Sequence, residues 1–283
     1  MLSYRHAFHA GNFADVHKHV VLSVLIASLT RKDAPFCYLD THAASGRHDL
    51  QGHEAQKKSE FAQGILRLWR QENIPDAVLP YIAAIQAVNP SGNSGEPRFY
   101  PGSPRLVRHF LRPQDRMILT ELHPADFQQL RREFAGDRQV AVHHLDGYQA
   151  LKAYLPPRER RGLVLIDPAY ERRDEAVKTI AALQTAYKRW PQGVYALWFP
   201  VTNNGSLHKF YEMLAKSGIR KILGCELCVR PPLEARRLNG SLMVITNPPW
   251  HVDETLGKLQ PWLAGILADS DYAAQRIQWL TTE

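Results

Sequence analysis

The chain of 283 residues contains only three cysteines, too few for a disulfide framework, which points to a reducing compartment. It lacks a long apolar run: the longest, Val20 to Leu29, falls short of the ~18–20 residues that a membrane span needs. With Asp15 upstream of that run and no small-residue cleavage site after it, a signal peptide is not expected. The chain therefore reads as soluble and cytoplasmic, with no membrane partner. It has no internal repeat or low-complexity tract, which excludes solenoid and linker-like architectures. It has no HExxH, and the CxxC of Cys225 and Cys228 has no second ligand pair nearby, so no metal is expected. A serine-hydrolase GxSxG is also missing. What is present is an ordinary globular composition, 45% hydrophobic and 22% charged. Lys and Arg number 35 against 28 Asp and Glu, a net charge of +7 that favours a polyanionic partner.

Short β-rich runs alternate with helical patterns, the signature of an α/β fold with a doubly wound sheet. Seven strands are predicted: Phe36–Asp40, Met117–Leu122, Val140–Leu145, Gly162–Asp167, Gly193–Pro200, Lys221–Val229 and Ser241–Pro248. Helix starts are marked at Asp15, at Ser103 as N-cap before Pro104, at Asp174, and at Gly205–Ser206. One stretch breaks the alternation. Phe61, Ile65, Leu68 and Trp69 recur at helical spacing, as do Val78, Ile82 and Ile85. Residues 49–96 are therefore expected to form a small inserted helical subdomain, with 1–48 and 97–283 making up the main domain.

Chemistry concentrates in Leu163–Tyr170, LVLIDPAY. An apolar strand there delivers an acid, a proline and an aromatic at its carboxyl end, where open α/β sheets bind ligands. An exocyclic base amine is a poor nucleophile because its lone pair is delocalised into the ring. Asp167 and the Pro168 carbonyl can accept its two protons and favour the tetrahedral nitrogen, while Tyr170 offers a face to stack the base. An Asp-Pro after a strand also serves as a plain surface turn, but the context argues for chemistry. The first strand ends in LDTHAASG, an acid followed by a small-residue loop that lets backbone approach a ligand. The second ends in TELHP, placing Glu121 to bind two ribose hydroxyls. The third ends in HHLDG, placing Asp146 to accept from an adenine amine. Loop, acid, acid and DPAY, in that order, resemble the layout of class I S-adenosylmethionine (SAM) methyltransferases.

A rival, Asn247-Pro248-Pro249-Trp250, matches the amino-methyltransferase pattern better than DPAY does. It ends the seventh strand, which runs antiparallel in this fold class, so it is read as a structural turn. Basic residues flank the expected pocket: Arg105, Arg108 and Arg112; Arg158, Arg160 and Arg161; Arg172 and Arg173; Arg230, Arg236 and Arg237. They are candidate phosphate contacts. Tyr4, followed by Arg5, His6 and His9, is a candidate cover for the target base.

The segments MLSYRHAFHAGNFADVHKHV, LDTHAASGR, YPGSP, TELHP, LDG, LIDPAYE and ALWFPV resemble the RlmJ family of 23S rRNA adenine-N6 methyltransferases across nearly the whole chain. The resemblance implies a Rossmann-like class I SAM-dependent methyltransferase, a seven-stranded mostly parallel sheet with the helical insertion, acting on one adenine of 23S rRNA. It implies that Lys18, His19, His42, Ser103, Glu121, Asp146, Gly147 and Asp167 line the SAM site. Asp167 would be catalytic, and Tyr4, Pro168 and Tyr170 would meet the target nucleotide. A monomer is expected. Two departures stand out: Ala44 where the family's loop usually has glycine, so that left-handed backbone there would be strained, and Ala169 in place of the second proline of DPPY. Alternative readings are a DNA adenine-N6 methyltransferase, or a non-catalytic nucleic-acid binder linked to the use of external DNA.

Overall fold

The first long element starts with two polar side chains. Asn12 accepts a hydrogen bond from the Asp15 amide at 2.9 Å, and the Asp15 carboxylate accepts from Gly11 N–H at 2.9 Å. Both satisfy amides that a helix start leaves open. The helix they open is α1, Phe13–Thr30. The sequence places the start at Asp15, but Asn12 is the cap and Asp15 lies inside the first turn. The structure, a computed structural model, describes residues 5–90, 95–203, 205–231, 238–269 and 272–282.

After α1 the chain enters β1, Cys37–Asp40, and then a short strand β2, Arg47–Asp49. Three short helices follow, α2 (His53–Lys58), α3 (Ile65–Trp69) and α4 (Leu79–Ala87), before β3 (Phe99–Pro101) returns antiparallel to β2. The β2–β3 pair closes the insertion at its root, and Arg98 pairs with Asp49 there at 2.9 Å. The alternation then resumes with α5 (Ser103–Phe110), β4 (Arg116–Glu121), α6 (Pro124–Glu133), β5 (Val140–His144), α7 (Gly147–Tyr154) and β6 (Gly162–Ile166). It continues through α8 (Glu175–Arg189), β7 (Val194–Thr202), α9 (Ser206–Ala215), β8 (Ile222–Cys228), β9 (Leu238–Thr246), α10 (Val252–Leu267) and β10 (Ala274–Thr281).

The main sheet has the order β10-β8-β9-β7-β6-β1-β4-β5. Strands β5, β4, β1, β6 and β7 pair in parallel. Strand β9 is antiparallel to both β7 and β8, so β8 runs with the parallel set, and β10 adds an antiparallel edge. The sheet thus has eight strands, not the seven expected. The eighth is AQRIQWLT, whose half-exposed, polar-rich alternation suits an edge strand and gives no apolar run to find.

Helices cover both faces. On one side α1, α5 and α10 share an apolar cluster with Ile65, Leu68, Tyr81 and Ile85 of the insertion. On the other, α7, α8 and α9 pack over Val164, Ile166, Leu197 and Phe199. Helix α1 is long and apolar enough to cross a membrane, but 83% of it is buried between sheet and insertion. Cys225 and Cys228 fall in opposite layers. Two other helix starts differ from expectation. Gly102 is the cap of α5, with Ser103 already helical, and Asp174 precedes α8 without a side-chain cap bond. Asp174 instead pairs with Lys178 at 2.8 Å.

Candidate active site

Parallel pairing brings the carboxyl ends of β5, β4, β1 and β6 to one edge, carrying Asp146, Glu121, Asp40 and Asp167. The turn after β5 is pressed against the end of β1. A Cβ added to Gly147 would lie 2.2 Å from the Thr41 carbonyl oxygen and 2.8 Å from Thr41 Cβ. Only glycine permits that approach. Just before it, Asp146 caps α7, its Oδ1 accepting from Tyr148 and Gln149 amides at 2.9 and 3.0 Å. Its Oδ2 has no hydrogen-bond partner among the described residues.

Glu121 holds the loop after β1. Its Oε2 accepts from Ala44 N–H at 2.8 Å and its Oε1 from His123 N–H at 2.6 Å, while burial pushes its pKa up. Ala44 itself is left-handed, with φ of +49°. The strain foreseen at this substitution is therefore real, and the charge-assisted bond to Glu121 opposes it. A carboxylate has about four lone-pair sites, so Glu121 keeps capacity for hydroxyl donors.

Asp40 is a hub that the sequence marks only as an acidic strand end. It is fully buried and accepts from Tyr38 Oη at 2.8 Å, Ser103 Oγ at 2.7 Å and His42 N–H at 3.2 Å. Burial pushes its pKa up to about 6. Ser103 thus reaches the site through Asp40. The His42 ring is bonded to Thr41 Oγ1 at 2.8 Å and stands edge-on to Tyr148. Burial lowers its pKa against the opposing fields of Asp167, Asp146 and Glu175, so the imidazole is neutral amid these acids.

Lys18 comes from α1 to meet the end of β6. Its Nζ lies 2.6 Å from Asp167 Oδ2 and 2.9 Å from Asp15 Oδ1, with only 6% of the side chain exposed. Burial works against the ammonium, but the two carboxylates outweigh it and hold the pKa above the ordinary lysine value. His19, the next residue, faces elsewhere. Its ring is buried, bonded to Tyr100 Oη at 2.7 Å and stacked on that ring, and its Nε2 has no partner. The structure therefore brings Lys18, His42, Ser103, Glu121, Asp146, Gly147 and Asp167 to one edge, and does not bring the His19 ring into contact with them.

Beyond Asp167, Pro168 is buried and Tyr170 takes a left-handed backbone, φ +52°. The Tyr170 hydroxyl donates to the Trp198 carbonyl at 2.7 Å, and its ring packs edge-on to Trp198 and Phe199. Asn247 lies at the opposite end of the sheet. Its amide donates to the carbonyls of Pro191 and Gly193, both at 2.8 Å, just before β7 begins. NPPW is thus a turn at the amino ends of the parallel strands, away from Asp167.

The basic residues divide. Arg105, Arg108 and Arg112 are ion-paired with Glu133, Asp137 and Asp115, Arg230 with Asp269, and Arg161 donates to the Ala34 and Leu29 carbonyls. These side chains hold the fold, which composition cannot reveal. Arg172 and Arg173 are exposed after Asp167 at the carboxyl end of β6, whereas Arg158 and Arg160 are exposed before its amino end, so with Arg161 they do not flank the pocket as expected. In the amino-terminal segment Arg5, His6 and His9 turn inward to Glu54, Asp15 and Glu60, so they fasten the segment. Tyr4, Arg236 and Arg237 lie outside the described residues. Among the described residues no group of His, Cys, Asp and Glu is placed to hold a metal ion.

The family described as Ribosomal RNA large subunit methyltransferase D, RlmJ, matches residues 33–281. Two proteins named Ribosomal RNA large subunit methyltransferase J are similar over all 283 residues and all of their own length. One is from Escherichia coli (strain K12), 44% identical. The other is from Haemophilus influenzae, 43% identical. A crystal structure of a protein from Legionella pneumophila str. Philadelphia 1 matches 96% of this chain and 98% of its own, with TM-score 0.87 and 35% identity.

Proposed function

Since the chain belongs to the RlmJ family of ribosomal RNA large subunit methyltransferases, we propose that it methylates the exocyclic N6 amine of one adenine in 23S rRNA, using SAM. The observation that carries this reading is the placement of Asp167 and the Pro168 carbonyl beside the acceptors at the ends of β1, β4 and β5.

The cofactor fits the residues present. Glu121 offers acceptor capacity for ribose hydroxyls, Asp146 keeps one oxygen for an adenine amine, and Gly147 lets the turn after β5 pack directly on Thr41. Lys18, His42, Ser103 and Asp167 complete the set. When bound, SAM supplies an electrophilic methyl group. The chain's own residues do the rest. Asp167 and the Pro168 carbonyl accept the two amine protons, drawing the nitrogen lone pair out of conjugation and aiming it at the methyl carbon. Lys18 Nζ, 2.6 Å from Asp167 Oδ2, already occupies one oxygen of that carboxylate, which suits Asp167 to orienting the amine. Transfer would break the methyl–sulfur bond and release S-adenosylhomocysteine; the methylated nitrogen is acidic, and one of its protons would pass to Asp167 or solvent. Tyr170, its hydroxyl tied to Trp198, presents a fixed ring beside the amine, and Tyr4 is proposed to close over the base. Exposed Arg172 and Arg173, which follow Asp167, are proposed to meet phosphates.

The test offers matched RNA and DNA carrying the same sequence, with methyl transfer from SAM read by mass spectrometry of the nucleosides. N6-methyladenine in RNA is the expected result. Methylation of DNA alone would move the substrate to DNA, and failure to bind SAM would leave a non-catalytic binder.

A further inference from the structure

Asp15 is a buried carboxylate for which the reaction above has no task. Its Oδ2 accepts from Gly11 N–H at 2.9 Å and meets His6 Nε2 at 2.8 Å. Its Oδ1 meets Lys18 Nζ at 2.9 Å, and the same ammonium lies 2.6 Å from Asp167. His6, Asp15, Lys18 and Asp167 therefore form an unbroken polar line from the first turn of the chain to the reacting edge. Helix capping does not explain the charge. Asn12 already caps the helix, and the Gly11 amide needs only one oxygen, which an asparagine would supply. What the carboxylate adds, beside its contact with His6, is a second anion for Lys18.

That second anion matters because Lys18 bonds only Oδ2 of Asp167, and Oδ1, with no partner among the described residues, is the oxygen left for the adenine amine. Paired with Asp167 alone, a buried ammonium would draw toward both carboxylate oxygens, since uncompensated charge is costly in a desolvated setting. Shared with Asp15, it stays to one side and leaves Oδ1 open. We infer that Asp15 is a positioning residue for methyl transfer, holding Lys18 so that Asp167 can receive the adenine amine; this rests on the function proposed above. The groups facing Asp15 are His6, His19, His48, Lys18, Tyr81 and Tyr100. Those near Asp167 are Lys18, Tyr38, Asp40, His42 and Tyr170. Burial would raise the Asp15 pKa, but His6 and Lys18 hold it well below the ordinary value, so the carboxylate is charged throughout the neutral range. The indole face of Trp198, 5.7 Å from Lys18 Nζ, gives the cation further support.

The experiment compares wild type, Asp15→Asn, Lys18→Met and the double variant in single-turnover methylation across pH. Asp15→Asn is expected to lower turnover roughly ten- to hundredfold. It should also bring an alkaline limb to lower pH, because Lys18 loses one of two anions that keep it protonated. In the Lys18→Met background the same substitution should cost nothing further, since Asp15 acts through Lys18. Asp15→Ser, another capping residue, should repeat the loss if the asparagine variant folds poorly. Wild-type turnover and pH profile in both neutral variants, or a loss that adds fully to that of Lys18→Met, would overturn the inference. A wild type that binds SAM yet methylates nothing would instead overturn the function, and this inference with it.

Discussion

Replacing Gly147 with alanine tests whether the turn after β5 and the loop after β1 are one rigid unit. The new Cβ would begin 2.2 Å from the Thr41 carbonyl oxygen, where ordinary contact starts at 3.4 Å. Thr41 cannot retreat. Its amide and hydroxyl both donate to the Leu165 carbonyl, at 3.1 and 2.9 Å, and its own carbonyl accepts from Thr120 Oγ1 at 3.0 Å. The start of α7 must therefore move out by about 1 Å, carrying Asp146 with it. Overpacking of this kind costs ~1–3 kcal/mol in stability. Loss of one charge-assisted bond from Asp146 to the cofactor would cost a further ~1.5–3 kcal/mol in binding, a ten- to hundredfold weaker SAM affinity. Guanidinium unfolding and calorimetric SAM titration of the same preparation measure the two effects separately. A variant with wild-type midpoint and affinity within twofold of wild type would refute both the contact and the role given to Asp146.

Other outcomes follow from the same contacts. Asp167→Ala should lose essentially all turnover while still binding SAM. Asp167→Asn should keep measurable turnover if orienting the amine outweighs base catalysis, itself typically worth ~10²–10⁴-fold; single-turnover assays decide. Asp40 holds its proton to about pH 6 in the folded state but releases it near 3.8 when unfolded, so its contribution to stability falls as pH rises between those values. The fall is roughly 3 kcal/mol, and Asp40→Asn, which does not titrate, should remove it; parallel stability–pH curves for the two proteins would sink this assignment. Ala44→Gly should relieve left-handed strain of ~1–2 kcal/mol against a glycine entropy cost of ~0.5–1 kcal/mol. A small net gain in urea midpoint is expected, and a clear loss would contradict the loop conformation.

The parts of the site that lie next to strand ends are legible in the sequence. Glu121, Asp146 and Asp167 each follow an apolar run, and a parallel sheet makes such ends converge whatever the details of packing. The parts that depend on long-range packing are not legible. Lys18 and Asp167 are 149 residues apart, more than half the length of the chain, and nothing local to Asp15 marks it as a counter-ion. Arg105, Arg108 and Arg112 look like a basic face until folding supplies Glu133, Asp137 and Asp115 as partners. His19 shows the converse limit. Adjacent to Lys18 in sequence, it turns about a quarter of the way round the helix and bonds to Tyr100 instead.

The pairing of β2 with β3 brings the two ends of the helical segment together. Because Asp49 and Phe99 are register partners, the chain leaves and re-enters the sheet domain at neighbouring points, about 5 Å apart as paired strands are. A tight hairpin could bridge that gap, so the helices between the two strands are separable from the sheet in topology. They are not separable in packing. Ile65, Leu68, Tyr81 and Ile85 now cover the outer side of α1, and the helix whose start carries Asp15 and Lys18 is apolar almost all round to suit that cover. An excised protein would expose a hydrophobic rod beside its own reacting edge.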